Sequence, residues 1–580
     1  MRRLFALVLA LVSGLSALAQ EKVLVHSDRD RQICTVRMAP FVGSSRLGGF
    51  GWIVVDVQNH ERVPHVMSLR LTSRSWGSND LELRRSVALG PEERAHFVLP
   101  LPNVAQVDFE SRITFDNKTY LDDLRAASSA GVTALLVSDR AQLQPQALAL
   151  MQAIAAADKP GVVTCSGLDL PADWRLFTGF ELVLLDARSP LESGAQDALR
   201  RFVQAGGCVL VATPQSLSAG PVRDRLQKAA SPSQFQDGLG YWVVVDDLER
   251  NLGQAKEQCE GLGRLRLGLW PMPNALLNLQ PVPGLGRPPV LVFLSVILLF
   301  AVLAGPVNFL LLRRWRRPML ALVTVPALGF GTTLLILGFG VFHDGFGVRG
   351  TLRSWTLLDQ ERHEAVAFSA RTLFAGLMPA SFSLPADSLM VVPDAFARDR
   401  SRSSHRWAFD ADRSTLDGGV LPSRTLTAFA EAQQGVARQR LRFAARGDGA
   451  LDVLTDGGVQ VVGDLLLCDR DGKFWGGDAR GLRPMPESDA QRALLKISQA
   501  AASHTIERRV DDYGRSILDT QVMNLGELVH RLLGGGSLLP GTWIGRVANA
   551  PWLDAHGLAV DYDWQEHFVV GRLAAEDFVR

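Results

Sequence analysis

Two uncharged apolar runs separated by an arginine-rich turn constrain this chain more than any other feature. Val290 to Leu312 reads VLVFLSVILLFAVLAGPVNFLLL, and Leu320 to Phe342 reads LALVTVPALGFGTTLLILGFGVF. Between them stands Arg313-Arg314-Trp315-Arg316-Arg317. At ~1.5 Å per residue, a helix of about 23 residues exceeds the ~30 Å hydrocarbon core of a bilayer. The expectation is a membrane hairpin, with transmembrane helices over 290–312 and 320–342 and a loop over 313–319. Four arginines in so short a loop place it on the cytoplasmic side, with Trp315 at the interface. Each run carries a proline, Pro306 and Pro326, whose freed carbonyl needs a local or neighbouring donor. Asn308 is read as an interhelical hydrogen-bonding residue, and Gly329, Gly331, Gly338 and Gly340 as points of close helix contact.

The first residues agree with that topology. Arg2 and Arg3, the apolar stretch Leu4 to Val12 and the Ala17-Leu18-Ala19 site read as a signal peptide over 1–19. Export of residues 20–289 followed by an out-in-out hairpin leaves residues 343–580 outside as well. The chain is therefore expected to be a multi-pass protein of a bacterial inner membrane, with both large regions extracytoplasmic. Acids and bases nearly balance, for a net charge of +1. No basic face is implied, so nucleic acid is excluded as a partner. The preference for Arg over Lys reads as GC-rich bacterial coding.

At 580 residues the chain is too long for one core. Residues 20–125 carry short alternating runs such as Gly51 to Val57 and Met67 to Thr72, with turns such as Gly90-Pro91-Glu92 between them. This pattern predicts an immunoglobulin-like β-sandwich. From 126 to 280 the pattern changes. Continuous apolar strands at Thr133–Val137, Val162–Cys165, Leu182–Leu185 and Cys208–Ala212 alternate with helices over 145–157 and 193–205, implying a mostly parallel, flavodoxin-like α/β sheet. Tyr241 to Val245 reads as its closing strand. Residues 343–580 read as β-rich, interrupted by helices after Ser488 and over Met523 to Leu533, with an exposed loop at Asp394 to Arg413. The fold class expected is thus a multidomain α+β membrane protein: sandwich, α/β domain, two transmembrane helices, β-rich C-terminal region.

Leu170-Pro171-Ala172-Asp173-Trp174, Phe180 to Asp186 and Ala198 to Gly207 resemble the class I glutamine amidotransferase-like domains of uncharacterised two-span bacterial membrane proteins. Gly305-Pro306-Val307-Asn308-Phe309 and the residues to Arg314 resemble the membrane hairpin of the same proteins. The resemblance covers residues 130–345 and implies fold and topology without an activity. Enzymes of that fold place a nucleophilic Cys on a glycine-flanked elbow beside a His. Cys165 lacks the elbow, Cys208 starts a strand, and no His occurs between His96 and His343. A Cys–His relay within this domain is therefore excluded unless another domain supplies the imidazole.

Asp139 and Asp186 end expected strands, where α/β sheets bind ligands, and are the candidate ligand-binding residues. Strand-end Asp residues also shape turns and cap helices. The five Cys form no C-x-x-C, and the eleven His make no H-E-x-x-H or H-x-H pair, so no metal site is expected. Phosphate-binding and dinucleotide fingerprints are absent, and no cofactor is expected. The reading is a non-enzymatic, membrane-anchored envelope protein whose partners are membrane lipid and a protein or envelope polymer. Its rivals are an accessory subunit of an ABC-type transport complex, as the resemblance implies, and a hydrolase with a site assembled across domains.

Overall fold

The computed structural model describes residues 22–28, 31–42, 49–73, 81–102, 107–116, 118–126, 133–154, 160–227, 233–266, 282, 290–315, 318–379, 381–385, 388–391, 405–409, 413–417, 420–502, 538–554 and 556–579. The expected signal peptide, the helix expected over Met523 to Leu533 and most of the Asp394 to Arg413 loop lie outside the described residues.

Strand Phe50–Asn59 is buried along nearly its whole length because both of its edges are paired. Arg31–Phe41 flanks it on one side and Arg94–Pro102 on the other, both antiparallel. Lys22–Asp28 completes this four-stranded sheet. Facing it is a seven-stranded sheet whose order is Ser381–Pro385, Arg413–Asp417, His405–Phe409, Leu81–Leu89, His65–Ser73, Val107–Phe115, Lys118–Ala126. Four of its strands precede the apolar hairpin and three follow it. The junction is the parallel pair of Leu81–Leu89 with His405–Phe409, in which Leu83 lies opposite Trp407.

A six-stranded sheet runs Gly161–Cys165, Thr133–Val137, Leu182–Asp186, Cys208–Ala212, Gly240–Val245, Gln234–Asp237. The first five are parallel, and the last returns antiparallel as the edge. Tyr241 to Val245 is the last of these strands in chain order, as expected, and pairs with the antiparallel edge strand Gln234–Asp237 that precedes it. Helix Ser193–Gln204 ends where Gly206 adopts a φ of 104°, a left-handed conformation that glycine takes without steric cost. A twelve-stranded sheet holds all the remaining strands of the described residues. At its centre Val348–Asp359 pairs antiparallel with Glu364–Ala375 and parallel with Val560–Arg572.

These findings correct the expected fold class. Strands hold 47% of the described residues and helices 27%, so the chain is a mostly β, multi-sheet protein and not a string of α+β units. The sandwich expected over residues 20–125 borrows three strands from beyond the hairpin. Two membrane spans are not found either. Among the described residues one helix, Phe293–Arg314, is long and apolar enough to cross a bilayer. The second helix, Ala321–Asp344, has its described apolar stretch over Ala321–Ile336.

Side chains lock the layers together. Trp52 is fully buried, stacks on Phe41 at 5.1 Å between centroids, and meets Phe177 and Phe180 edge-on at 5.9 and 5.8 Å. The latter two belong to the helical turn Trp174–Gly179 and the residue after it, so this cluster fastens the four-stranded sheet to the six-stranded one. Gly49 lies so close to Thr178 that a Cβ would sit 2.4 Å from its carbonyl carbon. On the opposite flank Arg200 forms two hydrogen bonds with Glu364, at 2.8 and 2.9 Å, across to the twelve-stranded sheet. Burial would raise the Glu364 carboxyl, but the Arg200 guanidinium outweighs it and holds the group below its usual range.

Trp52→Ala is expected to cost roughly 3–5 kcal/mol, because it removes the aromatic joint between two sheets. Trp52→Phe should cost much less, since the indole N–H has no hydrogen-bond partner among the described residues. Urea unfolding of the full chain in mild detergent checks the pair; equal losses for both variants would contradict the assignment.

Candidate functional site

In the six-stranded sheet the chain passes from Thr133–Val137 outward to Gly161–Cys165, then crosses back to Leu182–Asp186 on the other side. Such reversals open a crevice at the carboxyl ends of the strands, the usual ligand position in open α/β sheets. Asp139 follows one central strand and Asp186 ends its neighbour, so the structure brings both candidates to this point. Their roles differ. Asp186 is buried and accepts hydrogen bonds from Arg140 Nε at 2.8 Å and Ser138 Oγ at 3.1 Å. Arg188 N donates to its other oxygen at 3.3 Å. Asp186 is thus a structural anchor of the strand-end loops. Asp139 is exposed, and its Oδ1 accepts from Ser166 Oγ at 2.7 Å while its backbone N–H is held by Ser189 Oγ at 3.1 Å.

Nucleophilic chemistry lacks its parts here. Cys165 is buried at the end of its strand, and burial together with the nearby Asp169 and Asp139 charges pushes its thiol well above the usual range. The thiol is then protonated and inert. His96 comes from the neighbouring four-stranded sheet, with its Nδ1 3.1 Å from Asp56 Oδ1. Asp169 is raised by burial, an effect His96 opposes and Asp56 and Asp139 reinforce. This makes a mixed-charge rim that pairs no cysteine with a histidine among the described residues.

A second cluster escaped the sequence reading. Arg371 and Glu431 lie on paired strands of the twelve-stranded sheet, and His556 leads into the strand Val560–Arg572; all three are buried. Glu431 Oε2 is 3.3 Å from Arg371 Nη2 and 3.0 Å from His556 Nε2, although the ring orientation denies the latter a well-aligned hydrogen bond. Ser388 Oγ also donates to Glu431. Burial would raise the Glu431 carboxyl, but His556 and Arg371 overcome it and hold it at about 2. Arg371 donates further to Asp554 O at 2.7 Å and Tyr562 Oη at 3.1 Å. On Val560–Arg572, one strand removed from that of Arg371, burial and then the Arg371 charge lower the His567 imidazole to about 4. The signal was present in the sequence: one charge stands alone in each of the apolar runs AFSARTLFA and LTAFAEA. A cluster this enclosed specifies packing and has no access for substrate.

The third feature is the apolar hairpin. Helix Val290–Val302 passes through a π-turn, Leu303–Val307, into helix Asn308–Arg314. Pro306 cannot donate to the helical ladder, and the wider turn absorbs the break. Asn308 Nδ2 donates to Thr324 Oγ1 at 3.0 Å, the interhelical bond expected of that residue. The glycines do not make the close contacts expected of them, since a Cβ on Gly329, Gly331 or Gly338 would meet nothing within 4 Å. The hairpin surface is bare: Leu298 is 67% exposed, Phe309 65% and Leu322 84%. Among the described residues no group of three or more His, Cys, Asp or Glu is placed to hold a metal ion.

No family model matches the chain, and no curated protein matches it. Among solved structures the chain is similar to the Paenibacillus sp. cycloisomaltooligosaccharide glucanotransferase at 10% identity and a TM-score of 0.13, over 30% of this chain and 27% of that one. It is similar to Bacteroides uniformis β-glucuronidase 2 at 10% identity and 0.13, over 40% and 31%. The chain thus spans under a third of the length of either protein. Escherichia coli α-2-macroglobulin from domain MG7 to its C-terminus aligns over 81% of this chain and 99% of its own, at 10% identity and 0.13. Likenesses at these scores establish no shared fold and transfer no activity.

Two expectations follow. Asp186→Ala strands Arg140 and Ser138 and should destabilise by up to roughly 3 kcal/mol, allowing for the solvent Arg140 retains, whereas Asp139→Ala should change stability little. Denaturant midpoints distinguish them, and the reverse ranking would refute these roles. Separately, His567 binds its proton more weakly folded than unfolded, where its value is 6.5. Its contribution is complete above 6.5 and is lost as pH falls toward about 4. His567→Gln should flatten the fall in unfolding midpoint over that window, and an unchanged slope would show the acid sensitivity to lie elsewhere.

Proposed function

We propose that this chain is a non-enzymatic, membrane-anchored envelope protein, with an extramembrane body that binds a protein or envelope polymer and a helical hairpin that holds it to the bilayer. The observation that carries the reading is the bare hairpin. A helix buried in a soluble core shields its apolar side chains, whereas Phe293–Arg314 leaves nearly all of them uncovered. In water so much exposed hydrocarbon would drive aggregation; in lipid it is the solvent-matched surface. Trp315, 60% exposed beside Arg313 and Arg314, suits a bilayer interface.

The paired strands on either side of the hairpin favour a single-sided arrangement. Leu81–Leu89 hydrogen-bonds to His405–Phe409, and Arg200 grips Glu364, so the chain before and after the hairpin forms one body. A bilayer cannot pass between hydrogen-bonded strands. The hairpin therefore enters and leaves the bilayer by the same face, so the body lies wholly on one side of it. The buried Cys165 thiol, pushed up by burial and by the Asp169 and Asp139 charges, favours binding over cysteine-based catalysis.

Alkaline carbonate washing of membranes from cells expressing the full chain tests the anchor. The protein is expected to stay in the pellet, and Leu298→Arg, which puts a charge in the middle of the apolar helix, should weaken that retention. Release of the unaltered chain into the supernatant would sink the proposal.

A further inference from the structure

The hairpin holds a cavity of about 580 Å³ lined by Ala304, Gly305, Asn308, Phe309, Leu312 and Arg313, with Ala321 and Val325 opposite. On the first helix these residues recur at intervals of four, in adjacent pairs, so they form one continuous face. From Ala304 to Arg313 that face rises about 14 Å, close to the ~15 Å depth of one bilayer leaflet. The upper walls are apolar and the lower end is cationic. Arg313 lines the cavity, Arg314 follows it, and Arg316 and Arg317 continue the sequence. Among the described residues no carboxylate pairs with Arg313 or Arg314. Asn308, buried on the floor, ties the helices together through Thr324 and keeps the groove from collapsing. A Cβ on Gly305 would meet nothing within 4 Å, so the groove beside it is open.

We infer that this groove is a binding site for one anionic phospholipid, its phosphate against Arg313 and Arg314 and an acyl chain along Gly305, Phe309 and Val325. The inference rests on the membrane anchoring proposed above. Charge complementarity selects the occupant. A neutral helix of a partner would leave the arginines unpaired, whereas a phosphodiester supplies the missing anion at the depth where they sit. Basic pockets between membrane helices bind acidic headgroups by the same physics.

The test is native mass spectrometry of the full chain in mild detergent, titrated with dioleoylphosphatidylglycerol or with dioleoylphosphatidylcholine. The first phosphatidylglycerol is expected to bind about tenfold more tightly than phosphatidylcholine. Arg313→Gln with Arg314→Gln should bring the two lipids to near parity. Gly305→Leu, which fills the groove without a clash, should abolish tight binding of either, and circular dichroism checks that both variants fold. Glycerol 3-phosphate, a headgroup without tails, should not compete. Equal affinity for the two lipids, phosphatidylglycerol binding unchanged in the variants, or effective competition by glycerol 3-phosphate would each overturn the site. Release of the chain by carbonate defeats the anchor and this site together; firm retention without lipid preference removes the site alone.

Discussion

The parallel pairing of Leu81–Leu89 with His405–Phe409 constrains everything else in this molecule. It joins chain segments more than three hundred residues apart, on opposite sides of an apolar hairpin, into one seven-stranded sheet. Once that sheet exists, the chain cannot be a row of independent beads. The four-stranded sheet packs on it, the six-stranded sheet docks through Trp52, Phe177 and Phe180, and the twelve-stranded sheet is tied back by Arg200 and Glu364. The hairpin is then a loop thrown out from a closed body, and both of its ends return to the same place.

Polar groups buried within that body serve the same end. Arg371, Glu431 and His556 replace apolar packing at the point where three strands and a connecting turn converge. A buried charge stays ionised only if its partners offset desolvation, and here the Arg371 guanidinium and the His556 imidazole face one carboxylate. Asp186 with Arg140 does similar work at the reversal point of the six-stranded sheet. In both places the chemistry that would ordinarily mark an active site is consumed in holding loops and strands in register.

The hairpin departs from this economy. Among the described residues most of its side chains face outward, a Cβ on Gly305, Gly329, Gly331 or Gly338 would meet no neighbour, and Arg313 and Arg314 have no acid partner. Among the described residues the uncovered apolar side chains concentrate on the hairpin, so it is where the surroundings must contribute. Under the anchoring proposed above, hydrocarbon and acidic headgroups would supply both missing partners.

Much of this was legible in residue order alone. The apolar runs, the arginine turn and the strands Thr133–Val137, Leu182–Asp186 and Cys208–Ala212 follow from local periodicity, because burial on both faces demands continuous apolar residues. The placement of Asp139 and Asp186 at strand ends followed too, though not that one would be exposed and the other spent on Arg140. Strand partners were not legible. Alternation says which face of Leu81–Leu89 is buried and nothing about which strand lies beside it, and no local signal links it to His405–Phe409. The same holds for Arg371, Glu431 and His556, whose meeting depends on sheet register. Sequence by itself determined the elements and the apolar character of the hairpin. Tertiary structure decided which sheets they form, that the body is mostly β and shared across the hairpin, and which charges are buried, because hydrogen-bond pairing between distant strands is a property of the assembled chain and not of any segment within it.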